Sequence, residues 1–216
     1  LFNQEYGWNG SDGATPNTLQ VHRLYYSFPV AEAFTVVGGP VVRMDDMLPV
    51  WPSAYPSDMT MDFFTYAGAP GAYNLALGGG AGIYWQNDDG FSVSTSYLST
   101  DANSSDSETG GLMTDGAGTS ATTQIAYAPE GWGVAAAYTY ASGAEGGGAL
   151  YAGNGTTDAV ALSKSGNSNS FGLSAWWTPE ESGLIPSVST GWGISNVDVD
   201  DSNTLASTID SATSQS

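Results

Sequence analysis

The sequence predicts an all-β protein, an antiparallel up-and-down sheet of the kind that closes into a transmembrane β-barrel. A unit of two alternating strands joined by a tight turn recurs at least three times, each copy followed by a long polar loop. The strands' polar face is built from Ser, Thr, Gly, Ala and Gln, almost without charge. Aromatic residues stand beside the turns. A soluble sandwich packs bulky aliphatics inward and carries Lys, Glu and Arg outward. An uncharged face of small residues instead suits a wall with lipid on one side and water on the other.

The first hairpin runs Leu24-Tyr-Tyr-Ser-Phe-Pro, turns at Val30-Ala-Glu-Ala33 and returns as Phe34-Thr-Val-Val-Gly-Gly-Pro40. With Tyr26 and Phe28 toward lipid, the period of two sends Arg23, Tyr25 and Ser27 to the lumen face. On the return strand, outward Phe34 and Val36 leave Thr35, Val37, Gly39, Val41 and Arg43 together. Both arginines are thus expected to point into the pore, near Asp45 and Asp46, the one place where opposite charges concentrate. From Asp45 to Tyr73 the chain is long and irregular, with Pro49, Pro52, Pro56 and Pro70 among Trp51, Tyr55, Phe63, Phe64 and Tyr66. A proline-rich aromatic insertion of this length reads as a functional loop. It is expected to fold into the lumen and narrow it, with Arg23, Arg43, Asp45 and Asp46 forming the constriction or, equally, a structural ion-pair group.

The next hairpin starts at Gly80-Ala-Gly-Ile-Tyr-Trp-Gln86, turns at Asn87-Asp-Asp-Gly90 and returns as Phe91-Ser-Val-Ser-Thr-Ser-Tyr-Leu98. Ala81, Ile83 and Trp85 share one face, as do Phe91, Val93, Thr95 and Tyr97. A third runs Ser120 to Tyr127, turns at Pro129-Glu-Gly131 and returns as Trp132 to Tyr140. A fourth runs Phe171 to Trp177, turns through Pro179-Glu-Glu-Ser-Gly183 and returns as Ile185 to Ile194. The turns are expected at one end of the barrel, and the loops around 99–118, 141–168 and 196–216 at the other. The interface aromatics are Tyr26, Phe28, Trp85, Phe91, Tyr127, Trp132, Trp176 and Trp177, although aromatics also flank hairpin turns in soluble β-proteins. Ser94 and Ala135 are expected to line open water.

The stretch from Arg23 to Pro49 resembles the hairpin of cyanobacterial outer-membrane porins, iron-uptake porins in the carbohydrate-selective porin superfamily of OprB type. That family pairs an "RLYYRFP"-type strand with a "TVxxGP" strand and a "DD-(hydrophobic)2-P" loop, matched here by Arg23–Pro29, Thr35–Pro40 and Asp45–Pro49. Gly78–Gln86 and Ser94–Asn103 resemble its later strands, and the similarity extends with gaps over most of residues 19 to 195. The resemblance implies a porin β-barrel fragment over residues 1–216, about eight to ten strands of a larger barrel. The fragment is expected to lack the family's N-terminal surface-layer-homology domain, through which peptidoglycan would be bound, and the terminal strands. It further implies a cell outer membrane of Gram-negative type, membrane lipid as a partner, and a homotrimer as one assembly to test. Many relatives have a second Arg where this chain has Ser27, so the resemblance does not carry over a basic lumen.

Composition narrows the function classes. The 216 residues include 29 Gly, no Cys, and 3 Lys+Arg against 22 Asp+Glu, a formal net charge of −19. Without cysteine there is no disulfide framework, thiolate metal site or thiol nucleophile. Nucleic acid is excluded as a partner because phosphate binding needs clustered Lys and Arg. The acidity concentrates in loops, at Asp101, Asp106, Glu108, Asp115, Asp158, Asp198, Asp200, Asp201 and Asp210. Such loops solvate a glycine-rich surface or draw cations to a pore mouth. Lone His22, expected on a strand, has no serine motif beside it, so no catalytic triad is expected and the protein is read as no enzyme. Asp198–Asn203 lacks the central Gly and closing Glu of a calcium loop, so no metal and no cofactor are expected. No apolar run reaches the length of a membrane helix, and no signal peptide opens the chain. Both ends read as cut, the last residues 211–216 as a loop.

The expected function is passive diffusion of small hydrophilic solutes, such as inorganic ions, iron species or carbohydrates, through a water-filled pore. The contrasting expectation is a secreted or surface-attached β-sandwich, an adhesin or glycan-binding module that uses its aromatics as stacking platforms.

Overall fold

The computed structural model describes residues 21–57, 66–114, 116–144, 147–148, 166–181, 184, 187–199 and 211–215. Strands β1 (Leu24–Ala31) and β2 (Phe34–Arg43) lead into a short 3-10 helix, Met44–Met47. Then come β3 (Leu77–Gln86), β4 (Phe91–Ser99), β5 (Thr119–Tyr127), β6 (Trp132–Ala144), β7 (Gly147–Gly148), β8 (Gly166–Trp177), β9 (Val188–Val199) and β10 (Ser211–Gln215). All lie in one antiparallel sheet of order β1-β2-β3-β4-β5-β6-β8-β9-β10, with β7 pairing β6. The up-and-down topology is the expected one, and the short connections β1–β2, β3–β4 and β5–β6 accordingly fall at one end of the sheet. The sheet is open, with β1 and β10 as its edges.

Local chemistry explains the turns. At Asn87–Gly90 the side-chain Oδ1 of Asn87 accepts from the Phe91 N–H at 2.8 Å, and Gly90 takes φ +91°, which a side chain would resist. Several boundaries differ from expectation. His22 precedes β1 instead of lying on a strand, and Asp198 lies within β9 instead of a loop. Residues 211–215, read as a terminal loop, form β10 paired with Ile194–Asp198, because a polar Ser/Thr run can complete a ladder through its backbone alone. The return strand of the last expected hairpin begins at Val188; Ile185 lies outside the described residues, as do Phe63, Phe64, Asp115, Asp158, Asp200, Asp201 and Asp210.

The two faces of the sheet have inverted burial. Ser92, Ser94, Ser96, Ser120, Thr122, Gln124, Thr139, Ser168, Ser170, Ser174 and Ser195 are buried, while Phe28, Ile125, Val134, Phe171, Leu173, Trp177 and Trp192 are exposed. The alternation read in the sequence holds, but its polar face is covered and does not line open water. Ser94 and Ala135, expected in contact with water, are 2% and 7% exposed.

What covers the inner face is the described part of the segment between β2 and β3, residues 44–57 and 66–76. Its neck is closed by the Met44 N–H donating to the Ala76 carbonyl at 2.9 Å. Met44, Met47, Leu48, Ala67, Ala69, Ala72 and Tyr73 from this segment form one cluster with Val37, Val42, Leu98, Ala137 and Ala141 of the sheet. Small residues make the approach possible. A Cβ built on Gly191 would lie 1.7 Å from the Ala67 carbonyl oxygen, and one on Gly172 would lie 2.6 Å from the Ala69 Cβ.

One irregularity matters for the site. Gly39 pairs with Gly80 and Val42 with Gly78, so Pro40 and Val41 together oppose Gly79 in a β-bulge. The bulge shifts the alternation by one. Val42, not Val41, takes the buried place beyond Gly39, while Val41 pairs with outward Leu24.

Gly191→Ala should destabilise the fold by about 1–3 kcal/mol, since the added methyl meets backbone that cannot retreat. Thr190→Val, on the outer face, should leave stability nearly unchanged. Urea unfolding of the two variants checks this, and equal midpoints would show that the insertion does not pack against β9 as described.

Candidate functional site

The candidate site is the charged group at the neck of the insertion. Arg23 stands immediately before β1, Arg43 ends β2, and Asp45 and Asp46 lie in the 3-10 helix that follows. The structure brings all four together. Arg23 Nη1 donates to Asp46 Oδ1 at 3.0 Å, and the Tyr25 hydroxyl approaches the same oxygen at 3.4 Å. Arg43 grips Asp45 with both arms of its guanidinium, Nε to Oδ1 at 2.6 Å and Nη2 to Oδ2. Its backbone N–H donates to Asp46 Oδ2 at 3.0 Å. Ser57 closes the network, accepting from Arg43 Nη2 and donating to Asp45 Oδ2, each at 2.9 Å.

Tyr25 packs against the buried cluster of the inner face, and Arg23 reaches the same group through Asp46. Arg43 arrives differently. The bulge places it out of step with Val37 and Gly39, and the 3-10 turn brings the carboxylate of Asp45 back to its guanidinium. Sequence reasoning missed Ser57, which lies 12 residues beyond Asp45 and carries no motif.

The group is electrically balanced, two cations against two carboxylates, and mostly withdrawn from water: the side chains of Asp46, Asp45 and Arg43 are 7%, 13% and 14% exposed and that of Arg23 30%. Burial alone would push the Asp45 carboxyl up. The Arg43 hydrogen bonds and charge, the Ser57 hydroxyl and the Arg23 charge outweigh it and hold the carboxyl below its usual range. The arrangement clamps the start of the insertion to β1 and β2.

Beyond the neck, the insertion lies on the inner face and is tied to it by hydroxyls. Tyr55 Oη meets Ser187 Oγ at 2.7 Å and Ser53 Oγ meets Ser189 Oγ at 3.0 Å. Thr139 Oγ1 donates to the Ala72 carbonyl at 2.7 Å, Ser174 Oγ to the Ala67 carbonyl at 3.2 Å, and Gln124 Nε2 to the Tyr73 hydroxyl at 3.2 Å. Neighbouring Ser92 Oγ, Ser94 Oγ and Gln124 Oε1 are buried with no partner among the described residues.

The aromatics beside the turns form cross-turn pairs on the outer face, Trp85 with Phe91 at 5.9 Å and Tyr127 with Trp132 at 5.6 Å, both edge-on. Tyr26, Phe28 and Trp177 are exposed on the same face. Trp176 is not among them. Adjacent to Trp177 in a strand, it takes the inner face, where its ring lies against Gly133.

Among the described residues no three His, Asp or Glu side chains come together as a metal site, and no helix is long and apolar enough to cross a membrane. No family model, curated protein or solved structure matches the chain.

The folded pKa of Asp45 lies below its unfolded value of about 3.9. Its stabilisation is therefore complete above that value and lost as pH falls through the folded pKa. Asp45→Asn should be less stable at about pH 7, where it leaves Arg43 underpaired, and should lose less stability than the parent on acidification. Urea midpoints at neutral and acid pH check this; an unchanged acid slope in the variant would exclude Asp45 as a source of the acid sensitivity.

Proposed function

We propose that the chain is part of the wall and inserted loop of an outer-membrane porin that passes small hydrophilic solutes by diffusion. One observation carries the reading: an uncharged face of Ser, Thr, Gly and Ala is buried, while the opposite face exposes large apolar and aromatic side chains, interrupted by hydroxyls such as Thr95 and Thr123. On β6 the outward residues Trp132, Val134, Ala136, Tyr138 and Tyr140 extend over about 27 Å at about 3.4 Å per residue. A strand tilt of about 40° reduces this to about 20 Å, near the roughly 25 Å apolar band of such barrels. At the long-loop end of this span the rings of Tyr138 and Tyr140 turn polar at their tips, the hydroxyls donating to Asn169 and Asn167. A bilayer tolerates no unpaired strand edge, so the reading requires further strands between β1 and β10.

In this reading the insertion narrows the lumen and the charged neck holds it there. Solutes pass between the insertion and the rest of the wall, without energy coupling or cofactor, sorted by width and by the field of the neck residues. Among these Arg23 keeps the most exposed side chain. The soluble β-sandwich reading instead needs a second layer over the exposed apolar face.

Two measurements test the porin reading. Val134→Arg should weaken folding into bilayers by about 2–4 kcal/mol if the position lies near the midplane. The parent should also require detergent for extraction and migrate differently on heating. A protein that stays monomeric in water without detergent would refute a membrane wall.

Exchanging both Arg23 and Arg43 for Ala leaves Asp45 and Asp46 uncompensated at the neck. Selectivity should shift toward cations and conductance should rise, the shift shrinking in about 1 M salt as the screening length falls to about 3 Å. Reversal potentials in a salt gradient read this directly. An unchanged potential would leave the arginines as a clamp alone.

A further inference from the structure

We infer that the connection between β4 and β5 carries a second membrane contact, a two-residue apolar tip at Leu112-Met113 that enters the headgroup boundary of a phospholipid surface beside the long-loop rim of the sheet. The loop is acidic, with Asp101, Asp106 and Glu108, yet at its end it turns two large apolar side chains to solvent, Leu112 54% and Met113 80% exposed. Met113 is held there in a backbone conformation that disfavours it, φ +57° for a residue with a Cβ. The surroundings hold the conformation in place. Gly111, itself at φ +104°, accepts from Ser99 Oγ through its carbonyl at 2.6 Å and donates its N–H to the Asp101 carbonyl at 2.8 Å. The Met113 N–H donates to the hydroxyl of Tyr97 at 2.8 Å.

That last bond gives the tip its direction. Tyr97 belongs to the outward face of β4, with Phe91, Val93 and Thr95, so Met113 is tethered to the apolar side of the sheet. The tip continues the outward apolar surface past the end of the strand. Tyrosine is an amphipathic ring of the kind that meets headgroups, and exposed Leu and Met held beside it are of the kind that anchors about 5–10 Å into the headgroup and acyl boundary. The inference rests on the outward face being the lipid face.

The test uses the full chain reconstituted in phosphatidylcholine vesicles, and the absence of native cysteine allows single labels. Met113→Cys, with Leu112→Cys as the substitute where the first does not fold, carries an environment-sensitive fluorophore. Val93→Cys and Ser105→Cys report the strand face and the polar part of the loop. The expected result is a blue shift at position 113 with stronger quenching by spin label placed near the headgroup than by label deep in the acyl chains. Position 93 should show the reverse order, and position 105 no quenching. A water-like signal at 113 with position 93 quenched would overturn the tip contact while leaving the lipid face intact. No quenching at 93 would remove the lipid face and the tip contact with it. A blue shift at 113 that grows with protein concentration and ignores both quenchers would assign the tip to contact between copies, again overturning the inference.

Discussion

Everything else in this structure depends on how a carpet of hydroxyls is covered. A buried Ser or Thr without a partner costs about 1–3 kcal/mol, so a sheet that buries a dozen or so of them depends on groups that can accept and donate across its face. The segment between β2 and β3 supplies part of this with its backbone carbonyls and the polar tips of Tyr55, Tyr73 and Asn74, and hydroxyls of neighbouring strands pair with each other, as in Thr122 with Thr139 and Ser170 with Ser195, while Ser92 and Ser94 find no partner among the described residues. Because the inner-face side chains are small, backbone approaches backbone. Ala67, Ala69 and Ala72 therefore settle directly over Gly191 and Gly172. Dispersion contacts at this range are individually weak but numerous, and they require glycine where the separation is shortest.

Among the described residues the ion pairs gather at one place, the neck. Two carboxylates in a mostly buried 3-10 turn would be expensive alone, and each receives its own arginine. The bidentate grip of Arg43 on Asp45 uses the planar fork that lysine lacks. With a net charge of −19 and only three basic side chains, the chain commits two of them to this point. The clamp joins the start of the insertion to β1 and β2, so the position of the cover and the state of the charged group are mechanically linked.

The outer face has the opposite character. Its aromatics pair across the turns, but rows of Val, Ile, Leu, Phe and Trp stay open to the surroundings at a density that a water-exposed surface rarely carries. Burying that area in lipid or against a second layer would release far more free energy than edge-on pairs such as Trp85–Phe91 and Tyr127–Trp132 supply, at about 0.5–1.5 kcal/mol each. The environment of this face therefore governs the stability of the molecule in use.

The sequence by itself determined the sheet. Alternation with period two, turn chemistry such as Asn87–Gly90, and the short-turn, long-loop rhythm specify neighbour-to-neighbour antiparallel pairing, because each is a local property of the chain. It also marked Arg23, Arg43, Asp45 and Asp46 as a group, since opposite charges are so scarce here. Tertiary structure alone decided which face is covered. Alternation sorts side chains into two sets without naming the medium each set meets, so the inner set read as water-lining is in fact packed under the insertion. The bulge at Pro40 and Val41, the recruitment of Ser57 and the tethering of Met113 to Tyr97 are likewise non-local. Each depends on where a distant segment comes to rest, and no spacing in the chain encodes that position.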